Sequence, residues 1–283
     1  MKKLLLGALV ALMVASLVIA GCGKKDSGSP NSASGILTRS EKASQGAKSF
    51  KVSGSANVQT PGSEVKETKT TFTGEFNVIS SSDVEGHLVA HDEKGQESQA
   101  YIQGDYVYTY SASSGWEKQK IQSVKDLSVG MITPGNLTAL TKYAQNVKKL
   151  PDEGNNYVIS YDVGSKFFEN ALSEVDQQAS SAPSSAEQSV AQGMGDLFKS
   201  VAAGIKMSVV MKVDKTSYYP TEVTVTASAK GIPVLGDISL DSKVAFSDYN
   251  QPVTVTLPAE AASAKEKSGG LPSGIPSLPG FGL

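Results

Sequence analysis

Cys22 is the only cysteine in the 283 residues, and its surroundings give that thiol a chemistry. Lys2 and Lys3 precede an uncharged apolar run from Leu4 to Ala20, which closes on Ile19-Ala20-Gly21-Cys22 with small residues just before the thiol. A positive n-region, an apolar h-region and a small-residue cleavage site make a secretory signal peptide. A cysteine at the cut adds thioether lipidation followed by cleavage immediately before it. The expectation is therefore a signal peptide over residues 1–21 and acyl chains, palmitate among them, on Cys22. Read without the cysteine, the same run is an ordinary signal peptide or an uncleaved anchor helix. His87 and His91, the only histidines, lie four apart and are followed by Asp92 and Glu93. On a helix both imidazoles would share one face and suggest a metal. The stretch reads as strand, where residues four apart lie roughly 13 Å from each other, so no metal is expected. No nucleophile elbow, phosphate loop or dinucleotide fingerprint appears. Asp152-Glu153 sits beside Pro151 and Gly154 in turn composition. Neither an enzyme nor a cofactor is expected.

Removing residues 1–21 takes away two lysines and no acid, so the formal net charge moves from −2 to −4. That mildly acidic balance argues against nucleic acid, which is gripped through phosphate neutralisation by basic patches. No second apolar stretch approaches the ~20 residues that a membrane span needs. The expected location is the extracytoplasmic face of the cell membrane, with the lipid as sole anchor. Residues 22–34, rich in small polar residues, read as a flexible tether. Residues 261–283 carry five glycines and three X-Pro steps with no helical or strand period, and read as a disordered tail. Between them lies one domain, residues 35–260, large enough for a substantial core.

The elements that must position any site are mostly strands. A helix is expected from Ile36 to Ala47. Phe50, Val52, Gly54, Ala56 and Val58 then alternate with polar residues, as do Thr68, Thr70, Phe72, Gly74, Phe76 and Val78. Pro61-Gly62, Gly95 and Gly104-Asp105 mark turns. More strands follow near 83–91, 97–103, 105–111 and from Trp116. Tyr106, Tyr108 and Tyr110 share one face, either as a carbohydrate platform or as β-formers on a half-buried surface. Leu137, Leu140, Ala144 and Val147 fall on one helical face after Pro134-Gly135, and Tyr157 to Val163 is strand again. Phe167, Phe168, Ala171, Leu172 and Val175 form an amphipathic helix face, as do Val190, Met194, Leu197, Phe198 and Val201 beyond a Ser-rich loop at 176–188. Gly193 and Gly195 weaken the second helix by about 1 kcal/mol each, as suits a movable cover or a loosely tuned structural helix. Met207, Val209, Met211 and Val213 alternate, then Val223 to Ala229, Ile238 to Phe246, and finally Val253, Val255 and Leu257 before Pro258. Up to Trp116 the connections are too short for parallel crossovers, so those strands form an antiparallel meander.

Long strands with one apolar face must bury it, under a second sheet or under helices. With three apolar helical faces available, the better fit is an α+β fold: a large curled antiparallel sheet, an unclosed β-barrel, with helices covering its concave face. Several stretches resemble the envelope lipoproteins of the LolA–LppX–LprG superfamily. They are the lipidated Cys22, Tyr101-Ile102-Gln103-Gly104-Asp105-Tyr106-Val107-Tyr108, and Gly115-Trp116-Glu117-Lys118. Val213-Asp214-Lys215 leading to Tyr219-Pro220, and Phe246-Ser247-Asp248-Tyr249-Asn250-Gln251-Pro252-Val253 with Leu257-Pro258, complete the likeness. It covers about residues 35–260 and implies a LolA-like unclosed barrel that holds a hydrophobic ligand, an acylated lipid or lipoprotein, without catalysis. On that reading Phe72, Phe76, Tyr106 and Tyr108 line the cavity from the first strands. Leu137, Leu140, Phe167, Phe168, Leu172, Leu197 and Phe198 line it from the helices, and Met207, Met211, Val223 and Val225 from the later strands. The residues alone leave the Phe and Leu faces open between lining a cavity and filling a core, and Lys142, Lys148 and Lys149 between meeting a headgroup and forming a solvated helix end. Related domains act as envelope sensors, so a scaffold that contacts an envelope protein partner is the alternative. Cys22→Ser is expected to abolish palmitate incorporation and leave residues 1–21 attached, both read by mass spectrometry of the membrane-extracted chain.

Overall fold

The computed structural model describes residues 29, 31–62, 67–80, 83–121, 133–168, 204–232 and 236–266. The alternation becomes one twelve-stranded sheet. One half is a meander of β1 (Ser49–Gln59), β2 (Glu67–Ser80), β3 (Asp83–Asp92), β4 (Glu97–Gln103), β5 (Tyr106–Ser111) and β6 (Gly115–Lys120). The other half contains β7 (Ala144–Glu153), β8 (Asn156–Val163), β9 (Lys206–Asp214), β10 (Pro220–Ile232) and β11 (Gly236–Ser247). In the middle β1 pairs with β11, Val52 opposite Phe246 and Ala56 opposite Ser242, so the two halves share one surface. β12 (Lys265–Glu266) lies parallel to β6, and the other pairs are antiparallel. The terminal strands of the sheet, β7 and β12, do not meet. A sheet this wide curls, and this one is the unclosed barrel expected of the sequence. The tight connections at Gly104-Asp105 and Gly154-Asn155 place Gly104 and Gly154 at φ 57° and 56°, a region that β-carbons disfavour.

Residues directly opposite on neighbouring strands share a face. One inner row runs Phe72, Gly54, Val244, Val223, Met211, Ile159 across six strands. Its five side chains are 0–2% exposed. Each contributes about 1.5–3 kcal/mol by burial. Glycines on this face make room for rings. Phe72 lies against Gly54 and Phe76 against Gly86, each on the neighbouring strand, so that a β-carbon at either glycine would run into the ring. Phe76 in turn stacks on Phe50 with centroids 5.2 Å apart, and Phe50 meets Phe246 edge-on at 6.1 Å.

Helix α1 (Ala33–Gln45) starts three residues before the expected Ile36, because the Ser32 hydroxyl caps it by accepting from the Gly35 N–H at 3.1 Å. Its buried face, Ile36, Leu37, Ser40 and Ser44, packs towards the sheet. Helix α2 (Pro134–Ala139) passes into a 3₁₀ turn, Leu140–Tyr143, and residues 165–168 are helical. Three expectations need correction. Ala144 and Val147 belong to β7, not to a helix: Ala144 pairs with Val163, and that strand pairing overrides a helical period with no stop signal. Val253, Val255 and Leu257 alternate but form no strand, since β1 is already flanked by β2 and β11; residues 252–258 leave instead past Asn77, whose amide donates to the Val253 carbonyl at 2.9 Å. Regular structure also continues beyond Ala261, where a loose tail was expected, through α3 (Ala259–Ala262) and β12.

Gly86→Ala tests the ring-over-glycine packing. Phe76 is 1% exposed and held by Phe50, so it has nowhere to move. The expected loss is about 1–3 kcal/mol, read as a lower urea midpoint at unchanged slope.

Candidate ligand-binding site

The inner face brings together ten of the expected lining residues in one apolar cluster: Phe72 and Phe76, Leu137 and Leu140, Phe167 and Phe168, Met207 and Met211, Val223 and Val225. They come from three strands and three helical segments, and all are 0–6% exposed, so each is packed against protein. Phe167 meets Tyr143 at 5.4 Å and Phe168 at 5.1 Å, which places residues 165–168 beside the end of the 3₁₀ turn. Leu172, Leu197, Phe198 and Cys22 lie outside the described residues.

Tyr106 and Tyr108 do not join that cluster. On β5 the buried residues are Val107 and Thr109, and Val107 sits opposite Ile102 on the inner face. Tyr106, Tyr108 and Tyr110 therefore point to the outer face. Tyr108 pairs there with Tyr101, whose ring stacks on His87 at 4.0 Å, and Trp116 packs on both Tyr101 and Tyr110. The outer face also carries His91, against Glu97 at 3.4 Å. Among the described residues no group of three His, Cys, Asp or Glu converges as a metal site.

The cover is fastened at its edge. Arg39 of α1 donates to the Tyr218 hydroxyl at 2.6 Å and lies over that ring at 5.0 Å. Tyr218 is held in the β9–β10 turn, where Asp214 accepts from the backbone N–H groups of Thr216 and Ser217 at 3.0 and 2.7 Å. Glu41 of α1 approaches Lys142 at 3.9 Å, and Lys149 pairs with Asp152 at 3.3 Å, so two of the three lysines considered for a headgroup already have carboxylate partners. The stretch ending β11 proves structural. Tyr249 stacks on Tyr219 at 4.1 Å and donates to the Pro220 carbonyl at 2.8 Å, while Asn250 accepts from the Lys48 N–H at 2.8 Å. Sequence reasoning missed Ile36 and Leu37 of α1 and Ile159 and Tyr161 of β8 as inner-face residues. The period-two run Tyr157, Ile159, Tyr161, Val163 held the signal for the second pair.

Two depressions lie beside this cluster. One of about 420 Å³ includes Ser53, Ser55, Thr71, Thr73, His91 and Lys243 on the outer face. Another, of about 510 Å³, lies at one end of the inner face over β2 to β5 and includes Thr70, Ala90, Asp92, Ser98 and Ser111. Among the described residues no helix is long and apolar enough to cross a membrane.

Over residues 32–266 the chain matches a family described as a family of unknown function (DUF6612), and it belongs to that family. No curated protein matches it. Among solved structures, it is similar to a LolA superfamily protein from Nitrosomonas europaea, at 10% identity and TM-score 0.28 over 79% of this chain and 95% of that one. A putative outer membrane lipoprotein-sorting protein domain from Vibrio parahaemolyticus matches at 10% identity and TM-score 0.27, over 77% and 92%. The MucA/MucB complex of Pseudomonas aeruginosa matches at 9% identity and TM-score 0.34, over 81% and 62%. Superpositions this loose carry nothing about what the chain binds.

His87 supplies a pH test of the outer face. Burial pushes its imidazole below the ordinary histidine range, against weaker opposing effects of Gln99, Glu75 and Glu97. The unfolded chain takes up that proton below pH of about 6.5 while the native chain resists it. Stability from this group is thus complete above that pH and falls away as pH drops through the native value. His87→Phe, which keeps a ring for Tyr101, is expected to flatten the drop in melting temperature between pH 7.5 and 5.5.

Proposed function

We propose that this chain is a lipid-anchored protein of the cell envelope that holds the hydrocarbon of an acylated lipid or lipoprotein between the inner face of its sheet and the covering helices, without catalysis. The observation that carries this reading is the continuity of the apolar inner surface from Ile102 and Val107 to Ile159 and Tyr161, spanning nine strands. Such a surface requires only shape and apolarity of its ligand: an acyl chain gains about 0.8 kcal/mol per buried CH₂. Since the lining residues are packed in this structure, entry of a ligand means displacement of cover, and α1 is the described element most suited to move. It is a 13-residue helix, and its edge is fastened by polar contacts through Arg39 and Glu41. Anchoring through Cys22, with residues 22–31 as tether, would hold the surface near a bilayer that supplies such chains.

The test is native mass spectrometry of the full-length protein purified in mild detergent. The expected result is co-purifying lipid, and uptake of a diacyl phospholipid when the protein is stripped and re-exposed. Arg39→Ala is expected to speed that uptake severalfold by loosening α1. Protein that stays ligand-free under both conditions, especially with a second protein bound to it, would replace this reading with that of a scaffold.

A further inference from the structure

Three enclosed side-chain oxygens at the inner face meet no hydrogen-bond partner among the described residues: Tyr161 Oη, Ser242 Oγ and Ser44 Oγ. Tyr161 is 2% exposed and belongs to the apolar cluster. Ser242, also 2% exposed, lies in the same cross-strand row: Tyr161 is opposite Val209, Val209 opposite Val225, and Val225 opposite Ser242. Ser44 sits on the buried side of α1, one turn beyond Ser40, whose hydroxyl reaches only the Met211 sulfur at 3.9 Å. The sheet and its cover therefore each present hydroxyls to the seam between them.

A buried hydroxyl without a partner forfeits the hydrogen bonds it made to water, and native interiors hold few such groups. Tyr161 Oη, enclosed in the apolar cluster, points to an occupant that bonds to it. We propose that the inner face takes the ester carbonyl of an acyl chain, with the Tyr161 hydroxyl as its donor, so that the ligand is recognised as an ester lipid and not as bare hydrocarbon. This rests on the reading that the inner face holds acyl chains. Charge selects the ester over a free fatty acid. The buried polar residues described are Ser and Thr, with no Lys, Arg or His to compensate a carboxylate. Burial also pushes the Tyr161 phenol well above its ordinary range, which keeps it a neutral donor at physiological pH.

The experiment offers the stripped full-length protein methyl palmitate, palmitic acid and octadecane, singly and as equimolar pairs, and reads occupancy by native mass spectrometry. The ester is expected to outcompete the hydrocarbon about fivefold, as one hydrogen bond supplies. Tyr161→Phe is expected to remove most of that preference, read as the ratio of ester to octadecane bound in the paired experiment. Without ligand, Tyr161→Phe is expected to melt at the same temperature as the parent or higher, because it deletes an unpaired group. A preference that survives Tyr161→Phe, a lower melting temperature for that variant, or palmitic acid bound above its ester would each overturn the ester site. Binding of none of the three probes would instead overturn the acyl-chain reading beneath it.

Discussion

Everything in this molecule follows from one demand: a sheet apolar along its whole inner face has to be kept from water by something other than another sheet. The central pairing of β1 with β11 creates the demand, because it fuses two meanders into a surface wider than either. Two stacked sheets would cover each other. An unclosed sheet cannot, and the described chain answers with a 13-residue helix, a six-residue helix and single turns. Packing adapts to the curl by alternating bulk and void. Phe72 and Phe76 lie flat over Gly54 and Gly86, so the rings fill the inner curve where two side chains per row would collide.

The outer face obeys different rules and carries the solubility. Between β7 and β11 it is laced by charges: Lys212 bridges Glu153 at 2.8 Å and Glu222 at 3.1 Å, and Glu222 reaches on to Lys243 at 2.8 Å. Exposed pairs of this kind add little stability singly. Their effect is to keep a long sheet polar outside and to hold register across three strands. Towards β3 to β6 the same face turns aromatic, with His87, Tyr101, Tyr108, Tyr110 and Trp116 in mutual contact or register.

That change of character explains what the sequence could and could not disclose. Alternation identifies which residues share a face but not which face is inner. Where one face is plainly apolar, as in Met207, Val209, Met211 and Val213, the assignment is secure. On β5 both faces are plausible insides, and the larger tyrosines mislead: Val107 and Thr109 are buried while Tyr106 and Tyr108 are not. Size is a poor guide because a half-exposed tyrosine keeps its hydroxyl wet while its ring covers a neighbour. The strand order was hidden too. Nothing local says that β1 pairs with a strand nearly two hundred residues away, and that pairing excludes Val253 to Leu257 from the sheet. The helices were legible as amphipathic faces, but their ends were not, since β8 claims Ala144 once it is in place.

The packed state of the inner face and its proposed role as a binding surface are reconciled by magnitudes. Ile36 and Leu37 are the apolar side chains that α1 buries against the cluster, at 0% and 4% exposure. Their burial contributes about 3–6 kcal/mol together. An acyl chain replacing them gains about 0.8 kcal/mol per CH₂, so a stretch of roughly four to eight methylenes matches what the helix gives up. A sixteen-carbon chain exceeds that with length to spare, before any hydrogen bond is counted. The serines at positions 40 and 44 lower the barrier further, because half of the buried side of α1 carries hydroxyls that gain nothing from an apolar neighbour. A cover made wholly of leucine would hold the sheet shut; on the proposed reading, one made of Ile36, Leu37, Ser40 and Ser44 gives way to a fatty chain.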